Sequence, residues 1–346
     1  MVEHAAGVAK FVNFGSGPIA HERKAARFRA TALLLKLTAR HRVPQQSADT
    51  HFAFNYELPK EPLQKRKAKT THASTSRKVR GSPMTFTHTA FSKKLEAEVR
   101  ELNEFLSRQQ IEGGVHQGYV RIFQNGDDPR FNWDYGGRLY SQPGDTNYQV
   151  LSKKKRLKMT INGEAVAEID LRASYLTIFH ALHGAQLDLN SDPYRLPGFG
   201  EAGRDVVKLW MVATFGSPKP ISQWPTALLK GYKDDNHKPL DRKRYSVKLV
   251  REKALARHPL MACWGQPFKG RILTWGDLMF RESVVVISTM LELMRDHGIP
   301  SLAIHDSLLV PQSAINTTAT VLKARFRSVT KQEVQLTYKP KGLMVS

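Results

Sequence analysis

The chain has 346 residues, enough for about two domains of ordinary size. Its single cysteine, Cys263, excludes an internal disulfide and any Cys-rich zinc site. Lys and Arg number 53 against 31 Asp and Glu, so the formal net charge is +22. Such a charge predicts an acidic macromolecular partner, with nucleic acid first and an anionic membrane surface second. No apolar run approaches the roughly 18 residues that a helix needs to cross a bilayer. No membrane-spanning segment is therefore predicted, and no membrane is expected as a partner.

Residues 1–56 are interpreted as a basic N-terminal helical region. The apolar spacing predicts an amphipathic helix over residues 23–37. The N-terminus lacks the long apolar core of a secretory signal. Residues 21–43 are rich in Arg and poor in acids, which also fits a mitochondrial address. We favour the helix and a cytoplasmic location.

The segment 57–85 is polar, basic and rich in Pro, Ser and Thr, which predicts a flexible basic linker. Periodic apolar residues then predict a helix over 91–110. Further along, Asn162-Gly163 lies between two alternating apolar segments and predicts a β-hairpin whose second strand ends at Asp170.

Three more helices are predicted, followed by a short apolar strand. The helical patterns cover 174–182, 204–215 and 273–297, and each ends near a glycine. The apolar segment 301–310 is interrupted by His305-Asp306-Ser307.

Two acids, Asp170 and Asp306, stand within or at the end of apolar strands. An ionised acid in such a place is costly unless it is paired or binds a metal. Each acid alone is explained by a single ion pair, or by a hairpin turn at His-Asp-Ser. Together they are compatible with a two-metal phosphoryl-transfer site, in which carboxylates on adjacent strands hold two Mg²⁺ ions about 4 Å apart.

The predicted helix between these acids offers a second clue. Helical spacing places Arg204, Lys208 and Phe215 on one face. The two cations would bind a triphosphate and the ring would lie against the base or sugar. Ordinary amphipathicity, with Phe215 in the core and the cations in solvent, remains the alternative.

These segments resemble, in order and spacing, the polymerase palm superfamily that family A DNA polymerases share with single-subunit phage-type and mitochondrial RNA polymerases. Residues 167–175 are similar to motif A, a strand ending in a metal-binding Asp. Residues 204–216 resemble motif B, and 303–310 resemble motif C, a His-Asp-Ser turn with the second Asp. Residues 134–140 are similar to the Asp-x2-Gly-Arg motif of the RNA polymerases. The resemblance covers about half of the chain.

The resemblance implies that Asp170 and Asp306 are catalytic and hold two Mg²⁺ ions, with Mn²⁺ as a substitute. It implies that Arg204 and Lys208 bind the incoming nucleoside triphosphate, and that Lys208 also protonates the pyrophosphate. Phe215 would stack near the insertion site.

The nucleic-acid partner would be a DNA template with a primer or nascent strand. The resemblance implies that Arg138 and Asp134 contact this template or nascent strand and that His305 supports the primer end. Glu282 and Ser283 would face the minor groove of the primer-template.

The pattern departs from the family at several places. Tyr175 stands five residues after Asp170, where family A DNA polymerases have a Glu and family B polymerases a Tyr. A bulky Tyr in the nucleotide site favours deoxynucleotides, whereas the segments around Arg138 and Asp306 look RNA-polymerase-like. The spacing from Lys208 to Phe215-Gly216 is closer to that of family B. The choice of sugar therefore stays open.

The implied fold is α/β of the α+β type: a right-hand polymerase-like palm with an antiparallel sheet and reduced helical fingers and thumb. The palm would comprise 134–184 and 271–346, the fingers-like insertion 185–270, and the thumb-like region 86–133. The size fits a small DNA polymerase or primase-polymerase of a bacterial, phage or plasmid mobile element. A single-subunit RNA polymerase and a non-catalytic nucleic-acid-binding replication accessory protein are the alternatives. A membrane-surface protein ranks last, because it leaves the two acids unexplained.

Overall fold

The computed structural model describes residues 2–5, 8–13, 18–24, 27–42, 57–71, 78–144, 147–236 and 238–339. The chain divides into two units, Met1–Tyr56 and Glu57–Ser346. Helices occur together with antiparallel and mixed sheets, so the fold is α+β, and the predicted class is confirmed. No helix in these ranges combines the length and apolarity needed to cross a membrane.

The N-terminal unit contains strands where the sequence predicts a helix. Its elements are β1 (Val2–Ala5), β2 (Val8–Asn13), β3 (Pro18–Lys24), β4 (Arg27–Ala30) and α1 (Ala32–Arg40). β1 pairs with β4 and β2 with β3, both antiparallel. The prediction of a helix over 23–37 is therefore wrong for residues 23–24 and 27–30, which lie in β3 and β4, while residues 25–26 lie outside the described residues. The side chain of Thr31 accepts a hydrogen bond from the N–H of Leu34, and this N-cap sets the start of the helix.

The strands of the second unit, in chain order, are β5 (Leu63–Arg66), β6 (Thr70–Thr71), β7 (Lys78–Val79), β8 (Pro83–Met84), β9 (Ile111–Glu112), β10 (Tyr119–Phe123), β11 (Gly136–Ser141), β12 (Thr160–Ile161), β13 (Glu164–Leu171), β14 (Pro267–Phe268), β15 (Arg271–Ile272), β16 (Leu302–Ile304), β17 (Ser307–Pro311) and β18 (Leu336–Lys339). Its helices are α2 (Ala90–Ser107), α3 (Lys153–Arg156), α4 (Ser174–Leu182), α5 (Gly200–Phe215), α6 (Thr226–Asn236), α7 (Val247–Arg257), α8 (Trp275–His297) and α9 (Ile315–Thr330). The helices predicted from periodicity correspond to α2, α4, α5 and α8.

A four-stranded sheet has the order β11-β10-β5-β8, and two of its strands, β5 and β8, come from the predicted linker. β5 runs parallel to β10 and antiparallel to β8. Leu63 is buried and packs in a small apolar cluster with Leu95, Phe123 and Trp133. The prediction of a flexible linker over 57–85 is wrong for these two strands. Backbone pairing to a strand far along the chain holds this segment, and a polar composition does not report such pairing.

A six-stranded sheet holds the two candidate acids. Its order is β16-β17-β13-β12-β9, and β18 also pairs with β13. Along one side β13 pairs with β17, and along the other it pairs with β12 and then with β18. The loop between β12 and β13 is Asn162-Gly163, with both residues in the left-handed region (φ +53° and +80°), so the predicted hairpin is confirmed.

The 23-residue helix α8 is a central element of the core. A capping box between Thr274 and Asp277 starts it, and Gly298 ends it in the left-handed region at φ +64°. Between these caps it packs against α9, β11 and α4. Glu282 and Ser283 are buried on this helix, so α8 carries polar groups into the interior beside β11.

Two buried tyrosines link the two sheets. The hydroxyls of Tyr119 on β10 and of Tyr148 lie 2.6 Å apart. The N–H of Ala303 on β16 donates to the Tyr119 hydroxyl at 2.9 Å, and the Tyr148 hydroxyl donates to the Ala303 carbonyl. Both main-chain groups of Ala303 are thus satisfied by side chains, three residues before Asp306.

Candidate functional site

The register of the six-stranded sheet brings Asp170 and Asp306 together. Asp170 lies directly opposite Ser307, the first residue of β17. Asp306 immediately precedes Ser307, in the two-residue turn between β16 and β17. Its carbonyl oxygen accepts a hydrogen bond from the N–H of Leu171 at 3.1 Å. Both acids line one cavity of about 950 Å³. The strand-end position predicted for these residues therefore places them side by side at a cavity.

The carboxyl group of Asp306 has a raised pKa. Burial raises its pKa to about 7, and the negative charges of Glu282 and Asp170 act in the same direction. Glu282 comes from α8 and also lines the cavity. Asp306 therefore feels the charges of two further carboxyl groups, one from α8 and one from β13, and a cation bound beside it would relieve this repulsion.

Arg138 and Ser174 hold Glu282 in place. The guanidinium of Arg138 forms a buried ion pair with Glu282, whose other oxygen accepts a hydrogen bond from the Ser174 hydroxyl. Burial lowers the pKa of Arg138, but the charge of Glu282 and its hydrogen bond, together with Tyr175 and Asp306, raise it more, so the net shift is upward. Arg138 also donates to the hydroxyl of Tyr175 at 3.2 Å. Arg138 is thus a fixed cation inside the cavity wall.

Lys339 on β18 is a site residue that the sequence reasoning missed. Its Nζ lies 2.8 Å from Glu168 Oε1 and 2.9 Å from Asp170 Oδ2. Burial lowers the pKa of Lys339, but the hydrogen bonds to these two carboxylates raise it more. The sequence could have indicated Glu168, because alternate residues of a strand lie on the same face and Glu168 is two residues before Asp170. No local pattern indicated Lys339, since its position depends on the pairing of β18 with β13.

The predicted face of α5 does border the cavity. Arg204, Lys208 and Phe215 all line it, and Lys208 is exposed. Arg204 is engaged in ion pairs, with Nε 2.7 Å from Asp192 Oδ2 and Nη1 3.2 Å from Asp205.

Asp192 also binds a second arginine that the sequence reasoning missed. Arg172 Nη2 lies 2.6 Å from Asp192 Oδ2, and Arg172 lines the cavity. Burial raises the pKa of Asp192, but the hydrogen bonds from Arg204 and Arg172 outweigh it and keep the carboxyl ionised. Two guanidinium groups thus share the carboxylate of Asp192 at the cavity wall, and Arg204 is paired with Asp205 as well.

Phe215 belongs to the core and to the cavity wall at once. It is 4% exposed, and its ring meets that of Tyr175 edge to face at a centroid distance of 6.1 Å. The neighbouring Val212 is 53% exposed and lines the same cavity. Phe215 is therefore both packed in the core and part of the cavity lining. Together, Phe215 and Val212 give the cavity lining an apolar part.

The remaining predicted residues lie outside the main cavity. Asp134 is 3.6 Å from Arg271, and the hydroxyl of Ser283 donates to the carbonyl of Gly136 at 3.2 Å. His305 is exposed in the left-handed region at φ +54° and lines, with Ser283 and Arg138, a small second cavity. Of the predicted nucleic-acid contacts, Arg138 and Glu282 alone line the large cavity.

The donor chemistry at the cavity floor suits Mg²⁺. Among the described residues, no group of three or more His, Cys, Asp or Glu side chains is arranged to hold a metal by itself. Mg²⁺ is commonly bound through one or two carboxylates together with substrate phosphates. Asp170 and Asp306 provide such a pair, and the buried Asp306 carboxyl is crowded by two others. The residues therefore fit a metal that arrives with phosphates.

Comparison with known proteins finds little sequence similarity. No protein family matches the chain, and no curated protein is similar to it in sequence. One solved structure with some similarity is the POL domain of Pol1 from M. smegmatis in complex with DNA primer-template and dNTP. It shares 12% identity and a TM-score of 0.38, over 72% of this chain. The aligned part is 50% of the length of that structure.

Proposed function

We propose that the chain is a template-directed nucleotidyltransferase that adds nucleotides to a 3′-hydroxyl. One observation carries the proposal: Asp170, on β13, and Asp306, in the turn before the neighbouring strand β17, line one cavity of about 950 Å³ together with Arg204 and Lys208. A nucleoside triphosphate needs carboxylates for its metal, cations for its phosphates and an apolar surface for its base. The cavity offers all three.

Each residue has a defined task in this proposal. Asp170 and Asp306 would hold two Mg²⁺ ions, whose chemistry when bound is to neutralise phosphate charge and favour the hydroxylate nucleophile. Lys208, exposed at the cavity, binds the β- and γ-phosphates and donates a proton to the leaving pyrophosphate. Arg204 adds charge from its ion pair with Asp192.

Phe215 and Tyr175 face the base and sugar in the same proposal. Arg138 fixes Tyr175 through its hydrogen bond to the hydroxyl. A Tyr held in one position leaves little room for a 2′-hydroxyl, which favours deoxynucleotides. The DNA template and primer would occupy the charged side of the cavity, where Arg138 and Glu282 lie.

A primer-extension assay tests the proposal. Purified protein, Mg²⁺, a labelled primer on a DNA template and either dNTPs or NTPs are combined in separate reactions, with an unprimed template in parallel. We expect extension by the unmodified protein. Asp170→Asn and Asp306→Asn should each reduce it about 1,000-fold, since roughly 4 kcal/mol of charge stabilisation is lost.

Asp296→Asn is the matched control, because Asp296 is exposed at the end of α8 and does not line the cavity. Its extension rate should equal that of the unmodified protein. Retained extension by both active-site variants would refute the assignment of these acids. The arms with dNTPs, NTPs and unprimed template decide among a DNA polymerase, an RNA polymerase and a primase.

A non-catalytic nucleic-acid-binding protein is the second candidate, and one observation favours it. Lys339 neutralises Asp170 and Glu168 at 2.8–2.9 Å, so these acids are satisfied without any metal. Under this hypothesis the unmodified protein binds primer-template but extends it with no nucleotide, in Mg²⁺ or Mn²⁺.

A further inference from the structure

Two arginines at or beside the four-stranded sheet lie near each other, and neither has an acidic partner among the described residues. Arg66 ends β5, and Arg80 lies three residues before β8. Within the described ranges, neither guanidinium forms an ion pair with Asp or Glu, whereas Arg138, Arg172 and Arg204 are all paired. The negative charge that balances two guanidinium groups is therefore missing from this part of the protein.

The guanidinium of Arg66 is held in a fixed position. Nη1 donates to the carbonyl of Gly81 at 3.3 Å, and Nη2 donates to Gln64 Oε1 at 3.2 Å. Its Nε is buried and has no hydrogen-bond partner in the structure. Burial lowers the pKa of Arg66, and the positive charge of Arg80 lowers it further. The structure thus places two guanidinium groups close enough to repel each other, and a bound anion would relieve this repulsion.

An aromatic ring adjoins Arg80, and nearby residues connect this region to the large cavity. The guanidinium of Arg80 lies 5.4 Å from the ring centroid of Tyr140 on β11. Tyr140 is two residues after Arg138, so the two side chains share one face of the sheet, and Arg138 lines the cavity. On the same basic segment as Arg66, Lys69 stacks on Trp275 at 4.4 Å, and Trp275 also lines the cavity.

We propose that Arg66, Arg80 and Tyr140 form a binding site for the phosphodiester backbone of a nucleic-acid strand at the edge of the large cavity. Guanidinium groups bind phosphate oxygens in pairs, and an aromatic ring adds stacking on a base or sugar. The site goes beyond the proposed function, because it requires binding alone and no catalysis. A free nucleoside triphosphate offers the same phosphate chemistry, so the test must separate a strand from a nucleotide.

The test is fluorescence anisotropy with a labelled 12-nucleotide oligothymidylate from 50 to 300 mM NaCl, without divalent cations. In Arg66→Gln/Arg80→Gln we expect affinity at 100 mM NaCl to fall at least tenfold. The slope of log K against log salt should become shallower by about 1.4, or about 0.7 for each lost phosphate contact. Arg108→Gln/Arg251→Gln, at two exposed arginines elsewhere, is the matched control.

Arg80→Gln alone is the second variant. Arg80 is exposed and Arg66 keeps its contacts to Gly81 and Gln64, so this substitution leaves β5 intact. It should reduce the slope by about 0.7 while the thermal unfolding midpoint stays unchanged. A slope and affinity equal to those of the control variant would overturn the proposal.

A second arm titrates a fluorescent deoxynucleoside triphosphate with Mg²⁺. We expect Arg80→Gln to bind it like the unmodified protein. Loss of nucleotide binding with normal oligonucleotide binding would refute the strand site and assign the arginines to the nucleotide. Because the oligonucleotide arm contains no metal or nucleotide, its outcome does not depend on whether the chain proves to be a polymerase.

Discussion

Glu168 and Asp170 are separated by one residue on β13, and Lys339 bridges them across the strand pair. The register places Lys339 directly opposite Glu168 and Thr337 opposite Asp170, so the lysine reaches Asp170 diagonally. Burial raises the pKa of Glu168, but the hydrogen bond from Lys339 and the charge of Arg156 outweigh it. Lys339 therefore occupies the position of a counterion beside a residue proposed to bind a divalent cation.

Lys339→Gln should tighten the binding of divalent cations. Removing a positive charge 2.9 Å from Asp170 Oδ2 removes a competitor, which we estimate at about 1.4 kcal/mol, or tenfold in affinity. Electron paramagnetic resonance of free Mn²⁺ measures the dissociation constant directly, without turnover. Lys323→Gln, at an exposed lysine on α9, should leave this constant unchanged. An equal or weaker affinity in Lys339→Gln would contradict the expectation.

The sequence identified the residues at this site that lie on recognisable local patterns. Asp170 ends an apolar strand, Asp306 sits in a His-Asp-Ser turn, and Lys208 follows helical spacing from Arg204. Arg172 and Lys339 could not be predicted. Their partners are fixed by pairing and packing between segments that are distant in the chain, and a local pattern carries no information on such contacts.

At the scale of elements, the side chain of Phe123 on β10 lies close over Gly137 on β11. The residue is in the left-handed region at φ +70°, and an added Cβ would lie 2.9 Å from the ring of Phe123. This close approach sets the direction of the next residue, Arg138, toward Glu282. A glycine is thus needed at this position for both its conformation and its space.

Gly137→Ala should destabilise the protein by about 2 kcal/mol, since it combines backbone strain with a steric clash. Urea unfolding followed by circular dichroism measures the change. Gly144→Ala is the matched control, because a Cβ there meets nothing within 4 Å, and its unfolding free energy should change by less than about 0.5 kcal/mol. A value for Gly137→Ala as small as that of the control would show that the close approach is not required.

Whole elements were predictable where their signal is local. The helices α2, α4, α5 and α8 follow apolar periodicity, and the hairpin at Asn162-Gly163 follows turn chemistry. The strands β5 and β8 were not predictable, because few of their side chains are buried and their order comes from pairing with β10. The predicted palm, fingers and thumb boundaries stay predictions.

At the scale of the whole molecule, buried histidines make stability depend on pH. Burial lowers the pKa of His116 to about 3 and that of His258 to about 4. The unfolded chain binds these protons near pH 6.5, whereas the folded chain does so only near pH 3–4. The contribution of these histidines to the free energy of unfolding is therefore at its maximum above pH 6.5. It decreases as the pH falls toward 4, because the unfolded chain then binds protons that the folded chain does not.

His116→Gln should reduce this acid sensitivity. The unmodified protein should lose about 2 kcal/mol per buried histidine between pH 7 and pH 5, and the variant should lose about 2 kcal/mol less. The glutamine can keep the hydrogen bond that His116 makes to Ser141 at 2.8 Å. Urea unfolding of both proteins at pH 7 and at pH 5 gives the loss of unfolding free energy in each, and the two losses are then compared. An identical pH dependence in the two proteins would show that His116 does not contribute.

The global class was predictable and the global arrangement was not. The resemblance implied the α+β class, and a net charge of +22 predicted a polyanionic partner as the first hypothesis. The strand orders β11-β10-β5-β8 and β16-β17-β13-β12-β9 depend on pairings between distant segments. Composition and periodicity do not encode these pairings, so they required the structure.

The two tyrosines that bind Ala303 have a consequence for the sheet border. β16 is the outermost strand of its sheet, and an unprotected border of this kind can recruit a strand from another molecule. Here the outward-facing amide and carbonyl of Ala303 are already occupied by Tyr119 and Tyr148. The strand that leads into Asp306 is thereby closed to intermolecular β-addition at Ala303.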